Sequence, residues 1–202
     1  SADLDLGPRH SVVLLYQPLN LETTVRLEDD LIVDDALFAA GTPMRLRYGF
    51  DFVRASWLYD LQEEPEREFA LGVSLQIRNA VIDFQAVDGS EQRSTRNIGP
   101  VPILKLRARQ PWGESGFWGV EADGFYAPVS YLNGDDNEVV GAILDASART
   151  GLELAYGGDA FLNLRYIGGG AEGIDDDSAG PGDGYTRNWL HLASLSVGFS
   201  LR

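Results

Sequence analysis

The sequence predicts an all-β fold: an eight-stranded antiparallel up-and-down transmembrane β-barrel, with residues 1–202 as one domain. Three observations predict it. Eight segments alternate apolar and polar residues with period two, the pattern of a strand whose faces meet different surroundings. No segment joins a 3.6-residue period to capping signals, so no long helix is expected. The connections alternate long and short along the chain, as an up-and-down barrel requires.

The strands are justified in order. Leu19, Leu21, Thr23, Val25 and Leu27 alternate with Asn20, Glu22, Thr24 and Arg26. Leu46, Tyr48, Phe50 and Phe52 alternate with Arg45, Arg47, Gly49 and Asp51, and Leu71, Val73, Leu75 and Ile77 with Gly72, Ser74, Gln76 and Arg78. Leu104, Leu106 and Ala108 alternate with Lys105, Arg107 and Arg109, and Trp118, Val120, Ala122, Gly124 and Tyr126 with Gly119, Glu121 and Asp123. From Ala142 to Tyr156, Leu144, Ala146, Ala148, Leu152 and Leu154 oppose Asp145, Ser147, Arg149 and Glu153. Leu162, Leu164 and Tyr166 alternate with Asn163 and Arg165, and Leu195, Val197, Phe199 and Leu201 with Ser194, Ser196, Gly198 and Ser200. Leu31 to Ala40 is expected to hold a short helical turn. Long connections are expected at 28–42, 87–100, 130–138 and 168–187, and short ones at 61–68, 111–116 and 157–159. Pro18, Pro102 and Pro128 cannot donate to a ladder, so strand limits or bulges are expected near them.

Composition narrows the function classes. The chain has 202 residues and a formal net charge of -15, which argues against a nucleic-acid binder. It has no Cys, hence no disulfide and no thiolate chemistry, and two His, His10 and His191. No run of 18 apolar residues is present, so no spanning helix is expected, but a spanning strand needs only ~10 alternating residues.

Alternation does not say which face is inside. Charges of both signs crowd the polar faces: Arg26, Arg45, Arg47, Arg78, Lys105, Arg107, Arg109, Arg149 and Arg165 against Glu22, Asp51, Glu121, Asp123, Asp145 and Glu153. Lys105 is the single Lys; the other cations are Arg, whose fork suits buried pairing with carboxylates. Trp57, Tyr59, Trp112, Trp118, Tyr126, Tyr156, Tyr166 and Trp189 fall near strand ends on the apolar faces, where a membrane boundary selects them. The expectation is therefore an inverted barrel, with leucines toward lipid and a charge network in the lumen. The competing arrangement is a soluble lipocalin-like binding barrel, with the apolar face as core.

These strands, the loop alternation and the last strand Leu195-Ser196-Val197-Gly198-Phe199-Ser200-Leu201-Arg202 resemble the small eight-stranded outer-membrane barrels of Gram-negative bacteria. That class includes the membrane domain of outer-membrane protein A and outer-membrane proteins W and X. The likeness is architectural and covers nearly the whole chain. It departs from the class at the last residue, usually aromatic there; here Phe199 is the nearest aromatic. The resemblance implies a cell outer-membrane location, with lipid and lipopolysaccharide as surroundings and external loops available to a protein partner.

An eight-stranded interior holds only its own side chains, so a closed, charge-filled lumen is expected, with a narrow solute channel as the alternative. The loops carry acidic clusters, among them Asp135-Asp136 and Asp175-Asp176-Asp177, which offer weak Ca²⁺ or Mg²⁺ sites without the spacing of a dedicated calcium loop. No other cofactor is expected. No catalytic residues are expected either. His191 has the opposite strand parity to Ser194 and Ser196, which sets a lipid A-modifying enzyme aside as an alternative.

Overall fold

The computed structural model describes residues 1–33, 36–62, 64, 66–128, 139–155, 157–174 and 185–201. It is all-β and antiparallel. Among the described residues there is no helix, and none long and apolar enough to cross a membrane. The strands are β1 (Ala2–Asp5), β2 (His10–Gln17), β3 (Asn20–Arg26), β4 (Leu31–Val33), β5 (Ala36–Phe38), β6 (Pro43–Asp60), β7 (Glu68–Ala86), β8 (Gln92–Trp112), β9 (Gly116–Pro128), β10 (Val139–Glu153), β11 (Asp159–Ile174) and β12 (Tyr185–Ser200).

One ten-stranded sheet runs β1-β2-β6-β7-β8-β9-β10-β11-β12, with β3 also paired to β6. It curls into a half-barrel whose edges are β1 and β12. The expected closed eight-strand count is therefore corrected. The first long strand is broken at Pro18, which has no N–H to give. β2 pairs with the Phe52–Tyr59 part of β6, and β3 continues along the Pro43–Gly49 part. β1 then folds back on β2, pairing Ala2 with Leu14 and Asp5 with Ser11, and occupies the edge that closure would use.

Strand lengths also differ from expectation. β6, β7 and β8 have 18, 19 and 21 residues, about twice what a ~10-residue span needs. The long connections shrink accordingly. Residues 92–100 lie in β8, 168–174 in β11 and 185–187 in β12, because backbone pairing continues where side-chain alternation becomes irregular. The expected helical turn at 31–40 is instead the β4–β5 hairpin. Short turns sit at one end. Gly113 (φ 63°) and Gly157 (φ 80°) supply their left-handed residues. The 27–42 and 87–91 connections lie at the other end. In the latter, Asp88 accepts hydrogen bonds from the Ser90 hydroxyl and amide, which hold its carboxyl below the usual range.

The two ends of the sheet are packed in opposite senses. Toward the short turns, apolar side chains point outward: Leu104 is 70% exposed, Val197 74%, Leu164 57% and Leu152 51%. Behind them Arg54, Gln76, Lys105, Asp123 and Asp145 are buried. Toward the long connections the sense reverses. Ala36, Phe38, Met44 and Ala86 form a buried apolar cluster with Leu27, Leu31, Val33, Leu46 and Phe84 around it, while Arg45, Arg47 and Asp51 are exposed. The parity of β6 reverses at the adjacent apolar pair Phe52–Val53, where Phe52 is buried and Val53 exposed. Strand geometry leaves even residues of β6 inside throughout; the sequence changes phase, not the backbone.

Candidate functional site

The interior of the sheet toward the short turns holds three groups of ion pairs, around Arg54, Arg107 and Arg109. Arg54, on β6, is 1% exposed and is the hub of the first. Its Nε and Nη2 donate to Gln76 Oε1 at 2.9 and 2.7 Å, and its Nη1 lies 2.9 Å from both Asp123 Oδ2 and Asp145 Oδ2. Those contacts join β6 and β7 to β9 and β10 across the hollow of the sheet. Asp145 also receives the two-pronged fork of Arg165, from Nε at 2.7 Å and Nη2 at 2.6 Å. Arg165 Nη1 reaches on to Gln17 Oε1 on β2, bridging the two sides of the open seam.

Further pairs lie toward the short turns. Lys105 Nζ donates to Asp123 Oδ2 at 2.8 Å and to Glu121 Oε2 at 3.2 Å, and Arg149 takes the other oxygen of Glu121. The Ser74 hydroxyl donates to Asp123 Oδ1 at 3.2 Å and accepts from the Ser56 hydroxyl at 2.8 Å. Arg107 is held by Glu68 at 2.6 Å, by Asp3 of β1 and by Ser11 at 2.9 Å. Arg109 closes the end, on Asp159 at 3.0 Å and Glu153 at 2.9 Å, with its guanidinium 3.6 Å from the Phe117 ring centroid. Charged groups this deep cost several kcal/mol each unless paired and hydrogen-bonded, and the paired geometry offsets that cost.

Of the residues expected in the lumen, Lys105, Arg107, Arg109, Glu121, Asp123, Asp145, Arg149, Glu153 and Arg165 come together here. Five do not. Glu22 and Arg45 pair on the exposed outer face at 3.3 Å. Arg47 is exposed and reaches Asn20, Asp51 is exposed, and Arg26 sits on the Gly41 carbonyl. All five lie beyond the phase change, where polar side chains face out. Arg78 does point inward, but joins none of these pairs. The structure adds residues that were not foreseen: Arg54, Gln76, Glu68, Asp159, Gln17, Ser56 and Ser74. For Arg54 a signal existed. Val53, Ala55, Trp57 and Tyr59 alternate with Arg54 and Ser56, in the opposite phase to Leu46–Phe52.

The proposed cation ligands Asp135, Asp136, Asp175, Asp176 and Asp177 lie outside the described residues. Among the described residues no group of three or more His, Asp or Glu is gathered to hold a metal ion. His191 faces outward from β12 and shares a 2.7 Å hydrogen bond with the Tyr166 hydroxyl of β11. Ser194 and Ser196 lie on the other face of β12, paired opposite Arg165 and Asn163. Compared with known proteins, the chain matches no protein-family model, no curated protein and no solved structure.

Proposed function

We propose that the chain is a non-enzymatic barrel of the Gram-negative outer membrane, resembling the small eight-stranded class. Its lower half is the spanning part, its ion pairs plug the lumen, and its upper strands form a rim for contact with ions, lipopolysaccharide or a protein. The observation that carries this is the exposed apolar band with buried charge behind it, ended by the phase change. In water, such a continuous apolar face would exceed what a monomer exposes. In a bilayer it is the matching surface, and charges belong on the other side.

The band has the right height. On β9, Trp118 and Tyr126 bound it; on β12, Trp189 and Phe199 do. Eight to ten residues at ~3.3 Å rise and ~40° tilt give about 20–25 Å, close to the apolar band of known barrels. Trp112, Trp118 and Phe199 crowd the short-turn boundary, and Tyr16, Tyr126 and Tyr166 the other. Beyond it, the sheet has the sense of a water-exposed structure.

The reading carries a requirement. Hydrocarbon leaves no backbone N–H unpaired, so the free edge of β12 must meet a partner strand in the bilayer, and the β1–β2 edge is the one the curl brings round to it. The test is refolding from urea into detergent, followed by gel migration with and without boiling, then planar-bilayer recording. Heat-modifiable migration and no large stable openings are expected. Migration unaffected by boiling, or a stable large conductance, refutes the reading.

A further inference from the structure

Every neighbouring pair in the large sheet is antiparallel. Eight such steps lead from β12 to β1, and seven from β12 to β2. β1 therefore runs parallel to β12, and β2 antiparallel to it. Closing the seam through β1 would put one parallel pair into a ring of nine strand positions. Closing it through β2 gives an even, wholly antiparallel ring, the kind that spans an outer membrane.

β2 and β3 serve as one strand on that side. Both hold the same register against β6, Gln17 opposite Phe52 and Asn20 opposite Gly49, with Pro18 and Leu19 between. Together they run from His10 to Arg26, within one residue of the length of β12 from Tyr185 to Ser200. Arg165 sets the level of one strand against the other. It pairs with Ser194 of β12, and its guanidinium crosses the seam to Gln17. Strands two places apart in a sheet are ~10 Å apart, a gap these two long side chains span together when Gln17 is level with Ser194. In that register Ser11 is level with Ser200 and Arg26 with Tyr185, so the strand ends match as well. The faces also match. Leu14 and Tyr16 meet Val197 and Leu195 on the outer side, where all four are exposed. A slip of one residue would invert every pair.

β1 stands in the way of this pairing. It covers Ser11 to Leu14 of β2, the stretch level with Val197 to Ser200. Its hold is slight. It has four residues, all exposed, and its Asp3 pairs with Arg107, which keeps Glu68 and Ser11 when Asp3 leaves. Gly7, at φ 136°, gives the turn about which β1 can swing. A bare edge invites pairing with another copy, and β1 covers part of it.

We propose that β1 is a strap: it guards the β2 edge in the open sheet, and on insertion it peels away so that β12 pairs antiparallel with β2, Gln17 opposite Ser194. The inference rests on the membrane reading for the demand that the seam close; the choice of strand and register comes from the sheet itself.

The test places cysteine pairs in the cysteine-free chain. Leu14→Cys with Val197→Cys reads the closed seam. Leu4→Cys with Val12→Cys, opposite each other in the β1–β2 ladder, locks the strap. Each is oxidised after refolding into detergent and into lipid vesicles, and gel migration is compared with and without boiling. The first pair is expected to form a disulfide within one chain, while Leu14→Cys with Leu201→Cys, four residues out of register, stays reduced. The oxidised strap-locked protein loses heat-modifiable migration, and a reductant restores it. If no variant, reduced or oxidised, is heat-modifiable, the membrane reading fails, and the disulfide at 14 and 197 still decides the pairing. Absence of that disulfide from both preparations overturns the proposal, as does its formation between two chains. So does a strap-locked form that migrates like its heat-modifiable reduced form.

Discussion

Replacing Arg54 by Met removes the one cation that two buried carboxylates and a buried amide share. The side chain is 1% exposed and makes contacts of 2.9, 2.7, 2.9 and 2.9 Å. Breaking a buried pair costs about 3–5 kcal/mol when the partner is left alone. Here neither carboxylate is left alone. Asp145 keeps the Arg165 fork and Asp123 keeps Lys105, so the low end, about 3 kcal/mol, is expected. The assay is urea unfolding of the refolded protein in detergent or lipid, followed by tryptophan emission. With a slope of about 1–3 kcal/mol per molar urea, the midpoint falls by about 1–3 M. Adding Asp145→Asn to Arg54→Met deepens the loss, because Arg165 then loses the carboxylate that its fork sits on. Arg45→Met, on the outer face beside Glu22, is the control and shifts stability by less than about 1 kcal/mol. If Arg54→Met and Arg45→Met unfold at the same urea concentration, the interior is wet and the ion-pair plug is not what holds the sheet.

Other consequences concern the outer surface and the seam. Leu164→Arg, in the middle of the exposed band, costs about 2–4 kcal/mol in a bilayer by reversible unfolding; no loss would mean that the position faces water. Phe38→Ala, in the apolar cluster beyond the phase change, costs about 3–5 kcal/mol and acts on the rim, so that proteolysis at 27–42 accelerates while heat-modifiable migration persists. In bilayers the amides of Leu195 to Phe199 exchange slowly with deuterium, since β12 must be paired there; rapid exchange would show a free edge.

What the sequence made legible, and what it hid, divides along the strand. From β9 to β12 the outward leucines and inward charges keep one phase for the length of the apolar band, and reading period two placed Glu121, Asp123, Asp145, Arg149 and Arg165 on the interior face. On β6 the same rule misassigned Arg45, Arg47 and Asp51. There the alternation changes sense between Phe52 and Val53, from polar side chains outward to apolar side chains outward. A period-two pattern has the same form in both settings, and only the doubled apolar residue marks the boundary. Arg54 was hidden for the same reason. The β4–β5 hairpin was hidden because three-residue strands are too short for alternation to stand out. The break into β2 and β3 was foreshadowed by Pro18, but β1 was hidden because Ala2-Asp3-Leu4-Asp5 is too short a run for its alternation to stand out.

The central claim is that the sheet changes solvent halfway along its strands. Its most direct test uses the absence of Cys in the chain, which lets single cysteines carry spin labels. Labels at Val73, Leu104, Leu164 and Val197, and at Arg47 and Asp51, are compared in lipid vesicles for collision with oxygen and with a water-soluble nickel complex. The account predicts oxygen-dominated collisions at the first four positions and nickel-dominated collisions at the last two. Nickel access at Leu104 and Leu164 equal to that at Arg47 would contradict it.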